Sequence, residues 1–118
     1  MVGRVSPWNP DRMRRAKPSK YRNVRTIVDG ITFASKKEAK RYVELKLLVK
    51  LKAIFNLDLQ PRYPLTVNGL NIGTYVADFH YVQNGVGVVE DVKGVRTSTY
   101  RLKAKLMKAL YGITIKET

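Results

Sequence analysis

The alternation of hydrophobic and polar residues is clearest in two runs, residues 75–82 and 86–93, which are rich in β-branched and aromatic side chains. They flank Asn84–Gly85, and Asn-Gly between such runs is the strongest short-range signal for a two-residue type I′ turn. The two runs are therefore predicted to pair as an antiparallel hairpin. Counting outward from the turn places Asp78 directly opposite Asp91.

Side chains alternate between the faces of a strand, so Asp78, Asp91 and Lys93 are predicted on one face and Glu90 on the other. Like charges directly opposite each other destabilise a sheet. Lys93, counted opposite Val76, supplies one compensating cation, and a hard dication such as Mg²⁺ would compensate both carboxylates more fully. Two interpretations remain open here, a catalytic metal site and a buried structural ion cluster. On its predicted face, Glu90 is expected to form an ion pair with a basic side chain.

Upstream, the pattern predicts a small hairpin and a helix. Short apolar runs flank Asp29–Gly30, which is another two-residue turn signal. Ser35 and Glu38 have the spacing of a capping box, so a helix is expected from there to about residue 51 or 53. Apolar residues at helical spacing predict its core-facing stripe, which consists of Ala39, Tyr42, Val43, Leu47, Leu48 and Leu51.

Residues 54–59 lead into residues 60–67, whose prolines favour an edge or irregular strand over a central one. Asn68–Gly69 marks a further turn. After the central hairpin, Ser98 or Thr99 is expected to cap a second helix over residues 100–111, which ends at Gly112, and a last strand is expected at 113–115. The core-facing residues predicted for this helix are Leu102, Leu106, Ala109 and Leu110.

The predicted order after the small N-terminal hairpin is helix, strand, strand, strand, helix, strand, which is a mixed α and β arrangement of the α+β kind. A length of 118 residues fits one compact domain. Residues 1–24 are predicted to be a basic arm and residues 25–118 a single domain. The arm is either a solvated tail or a segment that orders on phosphate contact.

The formal charge is +14, from 23 Lys and Arg against 9 Asp and Glu. Such an excess points to a polyanionic partner, and nucleic acid is the leading candidate. The absence of cysteine excludes disulfides and thiolate zinc sites, and a cytoplasmic setting is expected. No stretch approaches the roughly 20 apolar residues of a membrane helix, so no membrane partner is expected. The residues predicted to contact DNA are Arg12, Arg14, Arg15, Lys17, Arg96, Arg101 and Lys105.

Asp78, followed on the next strand by Asp91-Val92-Lys93, resembles the motif of the PD-(D/E)XK nuclease superfamily. Within it, the chain is most similar to small phage proteins long catalogued as a domain of unknown function. These carry a Phe-x-Ser-x-x-Glu-Ala stretch like residues 33–39 here, and the similarity covers roughly residues 21–115. The middle acid of the motif is usually Glu, and Asp91 is the shorter variant.

This resemblance implies a PD-(D/E)XK nuclease-like core and Mg²⁺-dependent hydrolysis of DNA phosphodiesters, with Mn²⁺ able to substitute and no small-molecule cofactor. Asp78 and Asp91 would bind metal, Lys93 would act near the attacking water, and Glu38 would be a further metal-binding acid of the catalytic set. Because a capping box already explains Glu38, ligand and cap both remain open for it. The protein is then expected to be a phage protein acting in the host cell.

Four further residues are candidates for accessory roles. Gln60 precedes a proline as in some nucleases of the superfamily, and His80 is predicted on the same face as Asp78, although a lone histidine is more often a packing residue. Tyr100 and Lys103 share a helix face and could approach the scissile phosphate, or they are ordinary helix surface.

The expected function is an endonuclease selective for branched DNA, of the Holliday-junction resolvase type. Cutting both strands of a junction takes two active sites, so a homodimer is expected. The alternatives are a non-catalytic nucleic-acid-binding protein, for which the charge alone would suffice, and a phage nuclease acting on linear or flap DNA in replication or packaging.

Overall fold

The computed structural model describes residues 24–93 and 95–118. Within these ranges the chain forms two helices, α1 (Lys36–Lys50) and α2 (Ser98–Tyr111). The strands in the described part of the chain are β1 (Thr26–Val28), β2 (Ile31–Phe33), β3 (Phe55–Leu59), β4 (Arg62–Val67), β5 (Leu70–Val76), β6 (Phe79–Gln83), β7 (Val86–Asp91) and β8 (Lys116–Glu117). The protein is therefore an α+β fold, as the sequence predicts.

The central element is a four-stranded sheet in the order β3-β6-β7-β8. The strands β3, β6 and β7 are antiparallel neighbours, whereas β8 returns after α2 and pairs parallel with β7. The strands β1 and β2 form a separate hairpin ahead of α1, and β4 and β5 form another between β3 and β6. Without these two hairpins, the order is helix, three strands, helix, strand.

Two-residue turns of Asn-Gly form both the β6–β7 and the β4–β5 hairpin. Asn84 and Gly85 both have positive φ, 53° and 76°, which a type I′ turn requires. The register is unbroken from Gln83↔Val86 to Phe79↔Glu90, as predicted, and β7 contains no bulge. Asn68 and Gly69, with φ of 50° and 80°, connect β4 to β5 in the same way.

The sheet is covered on both faces. Phe79 and Tyr81 of β6 pack with Tyr42 and Leu45 of α1 on one face. Val89 of β7 packs on the other face, where it meets Tyr100 and Met107 of α2 together with residues of the β4–β5 hairpin. Helix α1 therefore covers one face of the sheet and α2 covers the other.

The predicted core faces of the helices are partly wrong. Val43 and Leu47 of α1, and Leu51 just beyond its end, are exposed. The predicted Ala39 and Tyr42 are buried, and Leu45 is buried with them. In α2, Leu102, Ala109 and Leu110 are exposed, and Tyr100 and Met107 take the core positions. Only Leu106 of the predicted α2 set packs against the core.

Three boundaries also differ from prediction. The run 75–82 is divided at Ala77–Asp78, so that Val76 belongs to β5 and pairs with Arg62 instead of facing Lys93. Asp78, which faces Asp91, therefore lies in a bend rather than in a continuous strand.

The end of the chain and the start of α2 also differ from prediction. The last strand is β8 rather than residues 113–115, since Glu117 is the residue that pairs with Asp91 in the parallel register. Thr97, not Ser98 or Thr99, caps α2 through its Oγ1, which accepts from the Tyr100 amide at 3.1 Å.

The basic arm predicted over residues 1–24 lies outside the described residues except for its last position, and with it Arg12, Arg14, Arg15 and Lys17. Neither α1 nor α2, the helices of the described ranges, is sufficiently long and apolar to cross a bilayer.

Candidate active site

Asp78 lies in the bend between β5 and β6, just before the inner strand β6, where its backbone and side chain are both hydrogen-bonded. Its amide donates to the carbonyl of Glu90 at 3.2 Å, and its own carbonyl accepts from the Gln60 amide at 3.0 Å. Its carboxylate Oδ2 accepts from the Val92 amide at 2.7 Å. These three contacts hold the Asp78 carboxylate across from the end of β7, as the turn at Asn84–Gly85 predicts.

Asp91 is the last residue of β7 and is buried. The Tyr75 hydroxyl donates to its Oδ2 at 2.5 Å, and the Lys93 ammonium lies 3.2 Å from the same oxygen. Burial and this bond raise the pKa of Tyr75 well above its ordinary value, so the phenol remains a donor. Asp91 thus has a fixed orientation, with its contacts from the described residues concentrated on one oxygen.

The carboxyl groups of Asp78 and Asp91 interact directly. Burial is the largest cause that raises the pKa of each to about 6, and their mutual interaction lowers the pKa of Asp78 and raises that of Asp91. The Val92 amide opposes the shift at Asp78, and Tyr75 and Lys93 oppose it at Asp91. Two adjacent buried carboxyl groups, each with a raised pKa, form a site that gains from a bound cation.

Glu38 is the third carboxylate of this cluster. It lies buried in the first turn of α1, and both a hydrogen bond and its charge contribute to the raised pKa of Asp78. Ser35 Oγ accepts from the Glu38 amide at 3.1 Å, so the serine half of the predicted capping box is present. Within the described residues, the Glu38 carboxylate forms no reciprocal bond to the Ser35 amide. The side chain therefore serves the cluster and the backbone serves the cap.

Lys93 lies between Asp91 and an aromatic ring. Its Nζ is 4.0 Å from the centroid of the Tyr100 ring, a cation–π distance, and it is partly exposed. The Tyr100 hydroxyl donates to Glu117 of β8 at 2.7 Å, and Arg96 forms an ion pair with the same carboxylate. The Lys93 carbonyl accepts from Lys37 Nζ at 3.0 Å. The ammonium is thus placed beside the carboxylates with one side towards solvent.

Glu90 projects to the opposite face, as predicted, and is fully buried there. Arg41 donates to it through Nε at 2.6 Å and Nη2 at 3.0 Å, and the Tyr81 hydroxyl donates at 2.6 Å. Burial alone would raise the pKa of Glu90, but the bonds from Arg41 and Tyr81 outweigh it, and the net pKa is lowered. Glu90 and Arg41 therefore form a structural ion pair that joins β7 to α1.

The other predicted residues are more scattered. The Gln60 backbone bonds Asp78, but its side chain is exposed, and its φ of 52° is unusual for glutamine. His80 Nδ1 lies 3.6 Å from Asp58 of β3, which is its cross-strand neighbour, rather than in the carboxylate cluster. Lys103 Nζ donates to the Thr74 carbonyl at 2.9 Å, so it joins α2 to β5.

Of the predicted DNA contacts, Arg101 and Lys105 are exposed on α2, and Arg96 is held by Glu117. These three lie on the segment that follows Lys93. The predicted phosphate contacts of the arm, which begin at Arg12, fall in the part of the chain that the structure does not describe.

The sequence did not point to Tyr75, Arg41 or Glu117 as part of the site or its support. Tyr75 had a usable signal, since a buried tyrosine hydroxyl usually finds a polar partner. Arg41 and Glu117 had none, because their contacts depend on packing α1 and β8 against β7.

The donor chemistry of the cluster is that of a hard cation site. Within residues 24–93 and 95–118, no group of three or more His, Cys, Asp or Glu side chains has the arrangement of a complete metal site. Mg²⁺, however, is commonly held by one or two carboxylates, with water and substrate phosphate completing its shell. Asp78 and Asp91 fit that requirement, and Glu38 lies beside Asp78 as a further oxygen donor.

Comparison with known proteins identifies the family. No curated protein matches the chain at a significant level. The model of one family, described as "Protein of unknown function (DUF1064)", matches residues 18–117, which include both helices, every described strand and the whole carboxylate cluster. The chain belongs to the DUF1064 family.

Proposed function

We propose that this protein is a metal-dependent DNA endonuclease of the PD-(D/E)XK kind. The observation that carries the proposal is that Asp78 lies next to both Asp91 and Glu38, with Lys93 beside Asp91, where β6 begins and β7 ends. A purely phosphate-binding protein gains nothing from adjacent carboxylates, which repel its ligand. The order α1, β3, β6, β7, α2, β8 is the order that the resemblance to this superfamily implies, and it further supports the proposal.

Asp78 and Asp91 would hold a divalent cation, Mg²⁺ or Mn²⁺, and Glu38, which interacts with Asp78, would supply a further donor once the cation binds. Such a cation polarises a phosphate and lowers the pKa of a bound water. Tyr75 and the Val92 amide keep the two aspartates in place, so little reorganisation is needed when the cation and phosphate arrive.

Lys93 is the residue placed to act on the reacting phosphate. Its ammonium is next to Asp91 and partly exposed, and the Tyr100 ring limits its motion. From this position it orients the attacking water or stabilises the charge that develops on the phosphate. The exposed cations of α1 and α2 bind the backbone on either side, which gives affinity that falls with salt and little direct reading of bases.

The proposed substrate is branched DNA, such as a four-way junction. Contacts to phosphate carry no sequence information, so structure-selective cleavage fits this surface better than sequence-specific cleavage. One domain has one site, and cleavage of two strands at a junction then takes a homodimer. Flap or linear DNA in replication or packaging would use the same chemistry.

The test is cleavage of a four-way junction, a flap and linear duplex with Mg²⁺, using wild type, Asp78→Ala and Asp91→Ala. We expect both variants to lose cleavage and wild type to prefer the junction. Asp58→Ala is the matched control, since Asp58 is an exposed acid of β3 outside the cluster. Undiminished cleavage by both cluster variants would rule out the assignment, and a preference for linear duplex would rule out the junction.

A second candidate, a non-catalytic nucleic-acid-binding protein, is favoured by the net charge of +14. It predicts tight, salt-dependent binding to DNA without cleavage in either Mg²⁺ or Mn²⁺. It also predicts that Asp78→Ala and Asp91→Ala bind DNA more tightly, since each removes a negative charge.

A further inference from the structure

The β4–β5 hairpin has an anchored base and an exposed tip. At the base, Tyr75 bonds Asp91, Lys103 of α2 bonds the Thr74 carbonyl, and the Tyr111 hydroxyl donates to the Pro64 carbonyl at 2.6 Å. The hairpin is a sheet of its own and is not hydrogen-bonded to the central sheet through its strands. Its base is thus tied to the active site and to α2.

The tip, residues 66–73, contains no charged residue in a chain of net charge +14. Its largest side chains are Leu70 and Ile72, and they are 66% and 49% exposed. Asn68 and Asn71, also exposed, add two amide groups. The tip therefore has no cation to attract phosphate, and it presents aliphatic and amide groups instead.

The size of this patch limits what can cover it. A stable interface between proteins buries roughly 800 Å² on each partner, far more than two aliphatic side chains provide. A single base step, in contrast, takes one or two aliphatic residues, and proteins that deform DNA insert Leu or Ile in this way. Amide side chains are also the groups that pair with base edges.

We propose that the β4–β5 tip is a wedge that packs Leu70 and Ile72 against bases exposed at a DNA branch point. This rests on the proposed function and adds how the branch is recognised: the cations bind phosphates, and the wedge detects interrupted stacking. An uninterrupted duplex offers no unstacked base, so the wedge contributes little to duplex binding.

The wedge also fixes a distance. Ile72 and Asp78 are six residues apart, so at about 3.3 Å per residue they lie at most roughly 20 Å from each other. One DNA strand advances about 3.4 Å per nucleotide. With Leu70 and Ile72 at the branch, the carboxylate cluster reaches phosphates up to about six nucleotides away.

The test measures binding in EDTA, so that it does not depend on cleavage. A four-way junction and a matched duplex are titrated with wild type and with the double variant Leu70→Thr, Ile72→Thr, which keeps strand-compatible side chains. We expect the variant to lose about tenfold in junction affinity, the scale of one base contact, with duplex affinity unchanged. A 2-aminopurine base at the branch should change its fluorescence on binding wild type but not the variant.

Ile27→Thr is the matched control, because Ile27 is 69% exposed on the other two-stranded hairpin. It should bind both DNAs as wild type does, and thermal unfolding should show all three proteins folded. The wedge is overturned if the double variant keeps the wild-type ratio of junction to duplex affinity, or if Ile27→Thr loses as much. Junction binding with the expected loss but without cleavage in Mg²⁺ would instead count against the nuclease and leave the wedge standing.

Discussion

The guanidinium of Arg41 binds the fully buried carboxylate of Glu90 through two hydrogen bonds, Nε–Oε2 at 2.6 Å and Nη2–Oε1 at 3.0 Å. Arg41 is one turn beyond Glu38 on α1, and Glu90 precedes Asp91 on β7. The pair therefore connects the helix that carries one acid of the cluster to the strand that carries another.

Removing Arg41 should be strongly destabilising, because it leaves the Glu90 charge buried without its partner. We expect Arg41→Ala to lower the free energy of unfolding by about 3–5 kcal/mol. Glu44→Gln is the control, since it removes only the exposed partner of Arg41, and it should change stability by less than about 1 kcal/mol. Urea unfolding at pH 7 measures both, and equal effects would contradict a structural role for the buried pair.

The cluster should cost the protein stability at neutral pH. The pKa of Asp78 is raised to about 6 in the folded protein, against 3.8 for a free side chain. Between those values the folded state binds more protons than the unfolded chain, so this contribution to stability falls as pH rises and is lowest above about pH 6.

Asp78→Asn should therefore stabilise the metal-free protein above pH 6, by about 1 kcal/mol, the cost of facing like charges in a sheet. Asparagine still accepts the bond from the Val92 amide. Thermal unfolding at pH 5 and pH 7.5 measures this, and the gain should be smaller at pH 5. Asp58→Asn, at an exposed position, should show no comparable gain.

Cation binding should depend on the ionisation of the same two aspartates, and it should be strongest at the pH where they are charged. Because the cation competes with protons for Asp78 and Asp91, affinity for Mn²⁺ should fall as pH drops through about 6. Titration of Mn²⁺ by electron paramagnetic resonance between pH 5 and 8 measures this directly. Affinity that does not vary over this range would place the cation elsewhere.

Substitutions of Ser35 and Glu38 should have different effects, because Ser35 caps α1 and Glu38 is proposed to bind the cation. Ser35→Ala removes the N-cap acceptor of α1 and should cost about 1 kcal/mol of stability with Mn²⁺ affinity unchanged. Glu38→Gln keeps the cap and should weaken Mn²⁺ binding with little loss of stability. If Glu38→Gln only destabilises, its carboxylate is not a donor to the cation.

The Tyr100 ring, rather than its hydroxyl, should matter for Lys93. Tyr100→Phe keeps the ring 4.0 Å from the ammonium and loses only the bond to Glu117, so cleavage should stay near wild type. Tyr100→Leu removes the ring and should lower the cleavage rate by about two- to fivefold, in line with an exposed cation–π contact. Junction affinity should be the same for both, since neither change removes a cation.

The parts of this structure that follow from local chemistry could be predicted from sequence. Asn84–Gly85 sets the register of β6 and β7, and through it the placement of Asp78 near the end of β7 and of Glu90 on the other face. Ser35 sets the start of α1. Each depends on residues within a few positions of each other.

The parts that depend on packing could not. Two sets of apolar residues on α1 have helical spacing. One contains Val43, Leu47 and Leu51 and the other Tyr42 and Leu45, and only the position of the sheet decides which set is buried. The parallel pairing of β8 with β7 likewise comes from the crossover through α2. The division at Ala77–Asp78 has no Gly or Pro to signal it, because the bend is held by the bonds that Asp78 makes with distant segments.

The turn at Asn84–Gly85 means that the carboxylate cluster is specified by the length of the hairpin as well as by its residues. An extra residue in this turn would leave Asp78, Asp91 and Lys93 unmutated. If it shifted the pairing of β7 with β6 by one residue, however, every side chain of β7 would turn to the opposite face of the sheet. Asp91 would then point towards α1 and Glu90 towards α2, so the carboxylates would no longer meet. Members of the family that have the same carboxylate cluster should therefore preserve the interval between the two aspartates.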